Sequence, residues 1–565
     1  MKTVRIAFTL GFVGRALLGA QVALPTVAAL AATASVGALV TGCADENDPK
    51  TWVTRLDDMA KRPEAIRRLS STFDSKMGAA NNNRDDAQVA AFISMIAEPL
   101  TKQYTSGTLD EKTRGVLIKL IADLRDPRTA PALAKAFNEY EAKKSDDDVK
   151  WAAQAVTAMM TAGKLTDQSL IDALWNAFAK FQPSKVGLSE LTKSLASAIM
   201  TVKHPSYAPK AIEKLNGSVD PSNTDSKMDQ VMFWQATSIR LLRELKYGPA
   251  AKPLTKVLLT PSKADLAGTA SAALRAIPKE ATTALSSALD GSDAELSKLV
   301  DAYPDKVSVA VVADALSAIS LPKGKETLLA ALAKADTDTS RVAIAGDLTR
   351  FPSEPALSEA VTSTYKKLAP GTRLKTPGEP FGRPYLAQTA EALYDSKLTE
   401  WLLKEVTDAK GDEGVSMQQF ALPTAIKLMT KEQVKAVEKV ATKVWNAKEQ
   451  SLFTEAVAVL DKCDKDAACY VTDLATPPKD QVAMRHSKAA WMAATYGNQK
   501  TRSDLVALLP SIKHPGVRLA IGMAIDHLAP KGDAATVEAL DKIVAQTNDD
   551  SLSKIADKLR ARSAP

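Results

Sequence analysis

Thiols and imidazoles are scarce in this chain: Cys43, Cys463 and Cys469, with His204, His486, His514 and His527, are all that 565 residues contain. The two late cysteines stand six apart in DKCDKDAACYV, with no histidine close by. A zinc site takes four ligands, so this pair supplies half of one. A disulfide needs only the two thiols, but on an unbroken helix six residues rise about 9 Å, beyond the roughly 4.4 to 6.8 Å that separates bridged Cα atoms. A bond between them therefore predicts a helix over 450–462, a tight turn at DKDAA and a second helix from about 468, with a staple worth on the order of 2 kcal/mol. The alternative is two reduced structural cysteines, which would suit a reducing compartment.

The remaining polar residues form no catalytic constellation. His204 and His514 sit beside prolines, His486 follows Arg485, and His527 closes an apolar stretch; a histidine at a helix end serves as a dipole or capping partner. No nucleophile elbow, H-E-x-x-H, P-loop or dinucleotide fingerprint occurs. The acidic triplet Asp146 to Asp148 and DPSNTD at 220–225 lack the spacing and glycine of a calcium loop and read as solvated interhelical loops. The sequence thus indicates no catalytic residue, no cofactor and no metal, and the expectation is a protein that is not an enzyme.

One segment has the composition of a binding loop. APGTRLKTPGEPFGRPYL, residues 369–386, carries four prolines and three glycines, too many for a tight interhelical turn, and long ordered loops are where binding concentrates. Its Arg373, Lys375, Phe381, Arg383 and Tyr385 mix cations with aromatics, a set suited to gripping an acidic or extended partner. The plainer reading has Phe381 and Tyr385 packing back on the body of the fold.

The elements that must position these residues are helices. In RGVLIKLIADL the apolar residues Val116, Leu117, Leu120, Ile121 and Leu124 recur every three to four positions, as do Trp234, Leu241, Leu242 and Leu245 in FWQATSIRLLREL. One such stripe per helix must be buried against a neighbour, and no segment alternates with the period of a strand. Between the helices lies a proline mark: DPRTAPALAKAF, HPSYAPKAIEKL and GPAAKPLTKVLL share two prolines four apart, with looser copies at Pro278, Pro322, Pro352 and Pro530. Proline fits the first turn of a helix and not its interior, so each mark opens a new helix.

Helix, proline turn and helix, repeated at roughly 30 to 44 residues, resembles the HEAT and armadillo arrays. The likeness covers perhaps 450 residues, most clearly KHPGVRLAIGMAIDHLAPKGDAATVEALDKI at 513–543, where Val517, Ile521 and Ile525 stripe one helix and Val537, Leu540 and Ile543 the next. It implies an all-α fold, a solenoid of HEAT-like helix pairs wound as a right-handed superhelix. Each pair would touch mainly its neighbours, the terminal DSLSKIADKLRAR would cap the last pair, and the long concave face would hold a protein or peptide partner.

Residues 1–42 have the basic start, apolar middle and small-residue end of a secretory signal, and Val40, Thr41, Gly42 and Cys43 complete it. That tetrapeptide resembles the lipobox of bacterial lipoproteins, and the whole chain resembles the bacterial HEAT-repeat lipoproteins. The resemblance implies a diacylglycerol on Cys43, removal of the signal, and acylation of the new amino group, giving an anchor of three chains where two suffice. An uncleaved membrane helix over 16–40 or a soluble secretory signal are the other readings. Ala44 after the cysteine favours the outer membrane, facing the periplasm, and residues 43–50 form a short acidic tether ahead of a solenoid over 51–565. An oxidising location would also favour the disulfide.

Composition agrees with a folded body. Hydrophobic residues make up 45% and charged residues 25% of the chain, far from the composition of a disordered one. The formal charge of +7 includes Lys2, Arg5 and Arg15 of the leader, and without them the balance is near neutral. Stretches such as KRPEAIRR and EYEAKKSDDD mix the signs, against the one-sided basic surface that nucleic acid requires. The functional expectation is a lipid-anchored envelope scaffold or adaptor; the alternative is an enzyme or small-ligand binder built on HEAT units in the periplasm.

Overall fold

The computed structural model describes residues 45–106, 109–187, 189–302, 307–376, 378–445, 447–476, 484–530 and 533–563. The signal segment 1–42 and Cys43 lie outside the described residues. Within them the chain is helical, apart from a single isolated antiparallel bridge between Arg373 and Phe381, so the expected all-α solenoid is what the structure shows.

The helices begin where the sequence marks them. Pro278, Pro322 and Pro515 each open a helix at its first position, and Pro127 and Pro249 open short 3-10 turns that run into Ala130–Asn138 and Ala251–Leu259. Side chains of Asp110, Asp167, Asp293, Asp466 and Asp533 accept from backbone N–H groups of the first turn, satisfying donors that have no partner inside the helix. Two prolines break the rule: Pro99 lies inside Ala87–Ser106 and Pro423 inside Gly411–Leu428. FWQATSIRLLREL also departs from expectation, entering as a π-helix over Lys227–Gln235 before Ala236–Glu244 continues as α-helix.

The helices stack in two rows. In one, Glu111–Leu124 packs on Asp146–Thr161, that on Glu190–Val202, and the row continues through Ala236–Glu244, Ala267–Arg275, Val307–Ile319, Asp338–Leu348, Gly382–Thr389 and Gly411–Leu428 to Met484–Tyr496 and Pro515–Leu528. Intervening helices such as Ala130–Asn138, Gln168–Lys180, Ala251–Leu259 and Pro278–Asp290 form the other row. The stripes expected from periodicity are the core: Leu117, Leu120, Ile121, Leu241, Leu242, Val517, Ile521, Ile525 and Leu540 are buried.

Three differences change the picture. The C-terminal helix Asp550–Ser563 does not merely cap the last pair; besides Pro515–Leu528 and Ala534–Thr547 it packs on Val307–Ile319, far back along the chain. The second half of the array therefore closes on itself, and the row that meets itself is the inner one. At the other end residues 45–50 of the expected tether are folded: a helix starts at Pro49, Trp52 Nε1 donates to the Glu46 carbonyl at 2.8 Å, and Arg55 pairs with Glu46 at 3.5 Å. Lastly MGAANNNRDD, which reads as a flexible connection, is tied down by Arg84, whose Nη2 donates to the Asp123 carbonyl at 2.7 Å.

The cysteine staple has the expected form. Cys463 ends the helix Ala447–Cys463, Cys469 lies in Ala467–Leu474, and the two are bonded with Cα atoms 5.3 Å apart. Asp464, at φ 47°, reverses the chain between them. No helix among the described residues is long and apolar enough to cross a membrane.

Candidate docking groove

The 369–386 segment folds as a small hairpin against the array. Leu374 N–H donates to the Pro380 carbonyl and Gly382 N–H to the Thr372 carbonyl, both at 2.9 Å. Leu374 is buried and pins the hairpin from below. Gly382 lets the hairpin sit close, since a Cβ there would lie 3.2 Å from Leu374 and 3.3 Å from Leu368. Outside bonds complete the anchorage: Lys375 N–H donates to Thr339 Oγ1 at 3.0 Å, and Gly371 N–H to Glu413 Oε2 at 2.9 Å. This is an ordered platform on a rigid body.

The five residues singled out by type do different things. Arg373 and Phe381 come together, the guanidinium 4.1 Å from the ring centroid, and Arg373 Nη1 also donates to the Glu379 carbonyl at 3.0 Å. Lys375 is exposed near the hairpin tip. Arg383 does not reach outward: its Nε donates to the Leu368 carbonyl at 3.0 Å, and its guanidinium lies 5.1 Å from the Tyr365 ring. Tyr365 in turn donates to Glu405 at 2.7 Å, so Arg383 locks the base of the hairpin rather than offering a cation. Tyr385 lies with its ring against Gly346, and its burial raises the phenol's pKa.

Between the hairpin and the N-terminal half of Gly411–Leu428 is a groove of about 490 Å³, walled by Arg373, Phe381 and Tyr385 on one side and by Asp412, Val415 and Phe420 on the other. Val415 is 63% and Phe420 37% exposed. Large apolar side chains left in water beside an aromatic and a stacked guanidinium form the kind of patch that interfaces bury. Sequence reasoning missed Val415 and Phe420; the available signal was their place outside the buried stripe of a long helix.

A second polar centre lies where the C-terminal helix meets the inner row. Arg350 pairs with Asp314 and, at 3.3 Å, with Asp347. Lys558 donates to the Arg350 carbonyl at 2.8 Å and to Asp526 at 2.9 Å, and Arg562 also pairs with Asp526. Burial outweighs the attraction of Arg350 and lifts the Asp347 carboxyl to about 7, and burial likewise lowers the Lys558 ammonium to about 8. Every one of these groups has a partner.

Each histidine contacts its surroundings, His204 with Nδ1 2.7 Å from Ser206 Oγ. His514 caps the helix Pro515–Leu528, His527 in its last turn stacks on Tyr394 with centroids 4.1 Å apart, and buried His486 contacts the Thr476 carbonyl. The acidic triplet is not a solvated loop. It opens the helix Asp146–Thr161, where Asp148 is buried, accepts from Tyr104 at 2.9 Å and pairs with Arg114 at 2.8 Å. Among the described residues no group of three or more His, Cys, Asp and Glu is placed to hold a metal ion.

Two rows of antiparallel helices, each stacked on its neighbours, define an α-solenoid. Among solved structures the chain is similar to importin beta, at 13% identity with a TM-score of 0.35 over 92% of this chain and 77% of that one. It is similar also to the karyopherin Kap121p bound to the SUMO protease Ulp1p, at 12% identity and a TM-score of 0.35 over 91% and 72%, and to SYS-1, at 10% identity and 0.28 over 91% and 99%. No protein-family profile and no characterised protein sequence matches the chain.

Proposed function

We propose that the chain is a lipid-anchored scaffold of a bacterial cell envelope that docks a protein partner in the groove between the 369–386 hairpin and Gly411–Leu428. The observation that carries the docking reading is the pairing of exposed Val415 and Phe420 with the Arg373 and Phe381 stack, across a groove about 490 Å³ in volume. Apolar anchors ringed by polar groups are where binding energy concentrates, and the hairpin's bonds to Thr339, Glu413 and Leu368 hold them in place before any partner arrives. The partner seats on this groove rather than along the whole concave face, since the C-terminal helix already fills part of the inner surface.

What supports the location is the lipobox-like V-T-G-C ending at Cys43 and the sole remaining cysteine pair, which is oxidised. Folding of residues 45–50 onto the first helix then leaves Ala44 as the only link between a lipidated Cys43 and the array. The array starts at the membrane surface, in the outer membrane facing the periplasm.

A photo-activated amino acid at Phe420 tests the docking reading, with another at Met59, which is 70% exposed and lies on the far first unit, as the control. In intact cells the Phe420 probe should give one discrete crosslinked product that Arg373→Ala/Phe381→Ala removes. Equal products from both positions, or none from Phe420, would defeat it.

A further inference from the structure

The C-terminal helix Asp550–Ser563 belongs to its own unit by its apolar side. Leu552, Ile555 and Leu559 are buried, and Ile555 and Leu552 press so close on Gly522 that a Cβ there would lie 2.6 and 2.9 Å from them. Its hold on the middle of the array is of another kind. The bonds that cross are the Arg275 and Asp557 pair at 3.4 Å, 282 residues apart, and the Lys558 donation to the Arg350 carbonyl at 2.8 Å, 208 residues apart. Grooves of about 900 and 230 Å³ flank this crossing, and Arg350, Lys554 and Lys558 line both. The floor of the larger groove is formed by small residues of the inner row, among them Gly268, Ala272, Ala310 and Ala318.

We infer that this crossing is a releasable electrostatic clasp, and that the array exchanges between the closed ring seen here and an open form in which the two grooves merge into one inner surface. Opening leaves the contacts of Leu552 and Ile555 with Gly522 in place, although Ile555 also lines the smaller groove. It breaks one charge pair and one hydrogen bond and opens both to water. Arg350 keeps Asp314 and Asp347, Lys558 keeps Asp526 and Asp557 keeps Arg560, while Arg275, 12% exposed in the closed form, exchanges Asp557 for water. Domains and units joined by polar surfaces of this kind move as rigid bodies. Salt acts less on the closed crossing, whose side chains are only 12 to 22% exposed, than on the open form, where it screens the charges that opening brings into water.

The test uses the full chain carrying Ser271→Cys and Lys554→Cys, which both line the larger groove, with spin labels on both and the native disulfide left oxidised. Pulsed dipolar spectroscopy at 0.05 and 0.5 M salt should give a short distance and a longer one. The longer should gain about threefold in population at high salt, which screens the charges that opening brings into water. Asp557→Lys, which sets like charges against each other at Arg275, should give the longer distance at low salt, and Arg275→Glu/Asp557→Lys should restore the short one. A single distance unmoved by salt and by Asp557→Lys would overturn the inference. So would loss of helix content with Asp557→Lys, which would make the contact an integral part of the fold.

Discussion

Lys558 Nζ donates to the backbone carbonyl of Arg350 from the other end of the array's closed half, 208 residues further along the chain. The Arg350 side chain meanwhile holds Asp314 and Asp347. One residue thus joins two inner helices to the last helix of the chain, the first by its side chain and the second by its backbone.

The Asp347 carboxyl gives this centre a measurable pH dependence. Burial raises it from the ordinary 3.8 to about 7, so between those values the folded molecule keeps a proton that the unfolded chain has released. Stability contributed by this group is therefore full below the lower value and is lost as pH rises to about 7, with a slope of at most about 1.4 kcal/mol per pH unit. Urea denaturation midpoints at pH 5, 6, 7 and 8 should show a decline across this window that Asp347→Asn removes.

Tyr104, Asp148 and Arg114 form a buried polar triad in the first half of the array. Asp148→Ala strands the tyrosine hydroxyl and the guanidinium and should cost about 3 kcal/mol, whereas Tyr104→Phe removes one hydrogen bond and should cost about 1 to 2 kcal/mol. Thermal denaturation of the two variants ranks them; equal losses would contradict the triad's role.

Removing the staple with Cys469→Ser should cost about 2 kcal/mol, the amount expected for a short closed loop. The effect is local, because the bond ties Ala447–Cys463 to Ala467–Leu474. Hydrogen exchange should speed up in these two helices and stay unchanged in Glu111–Leu124.

Arg383 and Arg373 separate fold from recognition. Arg383→Ala frees the Leu368 carbonyl and the Tyr365 face and should raise proteolytic cleavage within 369–386. Arg373→Ala, which gives up only the Glu379 carbonyl and the Phe381 face, should raise that cleavage less than Arg383→Ala while weakening partner capture about tenfold, the effect of losing an interface anchor worth about 1.4 kcal/mol.

If Cys43 carries the membrane anchor, Cys43→Ser should move the chain from the detergent phase to the aqueous phase on cloud-point partition, since three acyl chains bind far beyond the roughly 10⁴ M⁻¹ of one. A wild-type chain found in the aqueous phase would remove the envelope anchor from the account.

Much of this molecule was legible in one dimension. Proline marks at Pro127, Pro249, Pro278, Pro322 and Pro515 located helix starts because proline's missing N–H costs nothing in the first turn, and the six-residue cysteine spacing located a turn because a helix holds the thiols too far apart. The candidate loop was visible from its prolines and glycines, but composition could not tell outward Arg373 from inward Arg383; that depends on the Leu368 carbonyl left open by a helix end. Asp148 looked solvated because its partners Tyr104 and Arg114 lie on other helices. The closing contact of the array was invisible, since no local pattern relates Arg350 to Lys558.

The most direct measurement of the central claim is hydroxyl-radical footprinting of the chain, free and with its crosslinked envelope partner. The account predicts protection of Phe381, Tyr385, Val415 and Phe420, with Met59 and Met232 reacting equally in both states. Protection spread along the inner row, or confined to Met59 and Met232 with the groove still reactive, would contradict it.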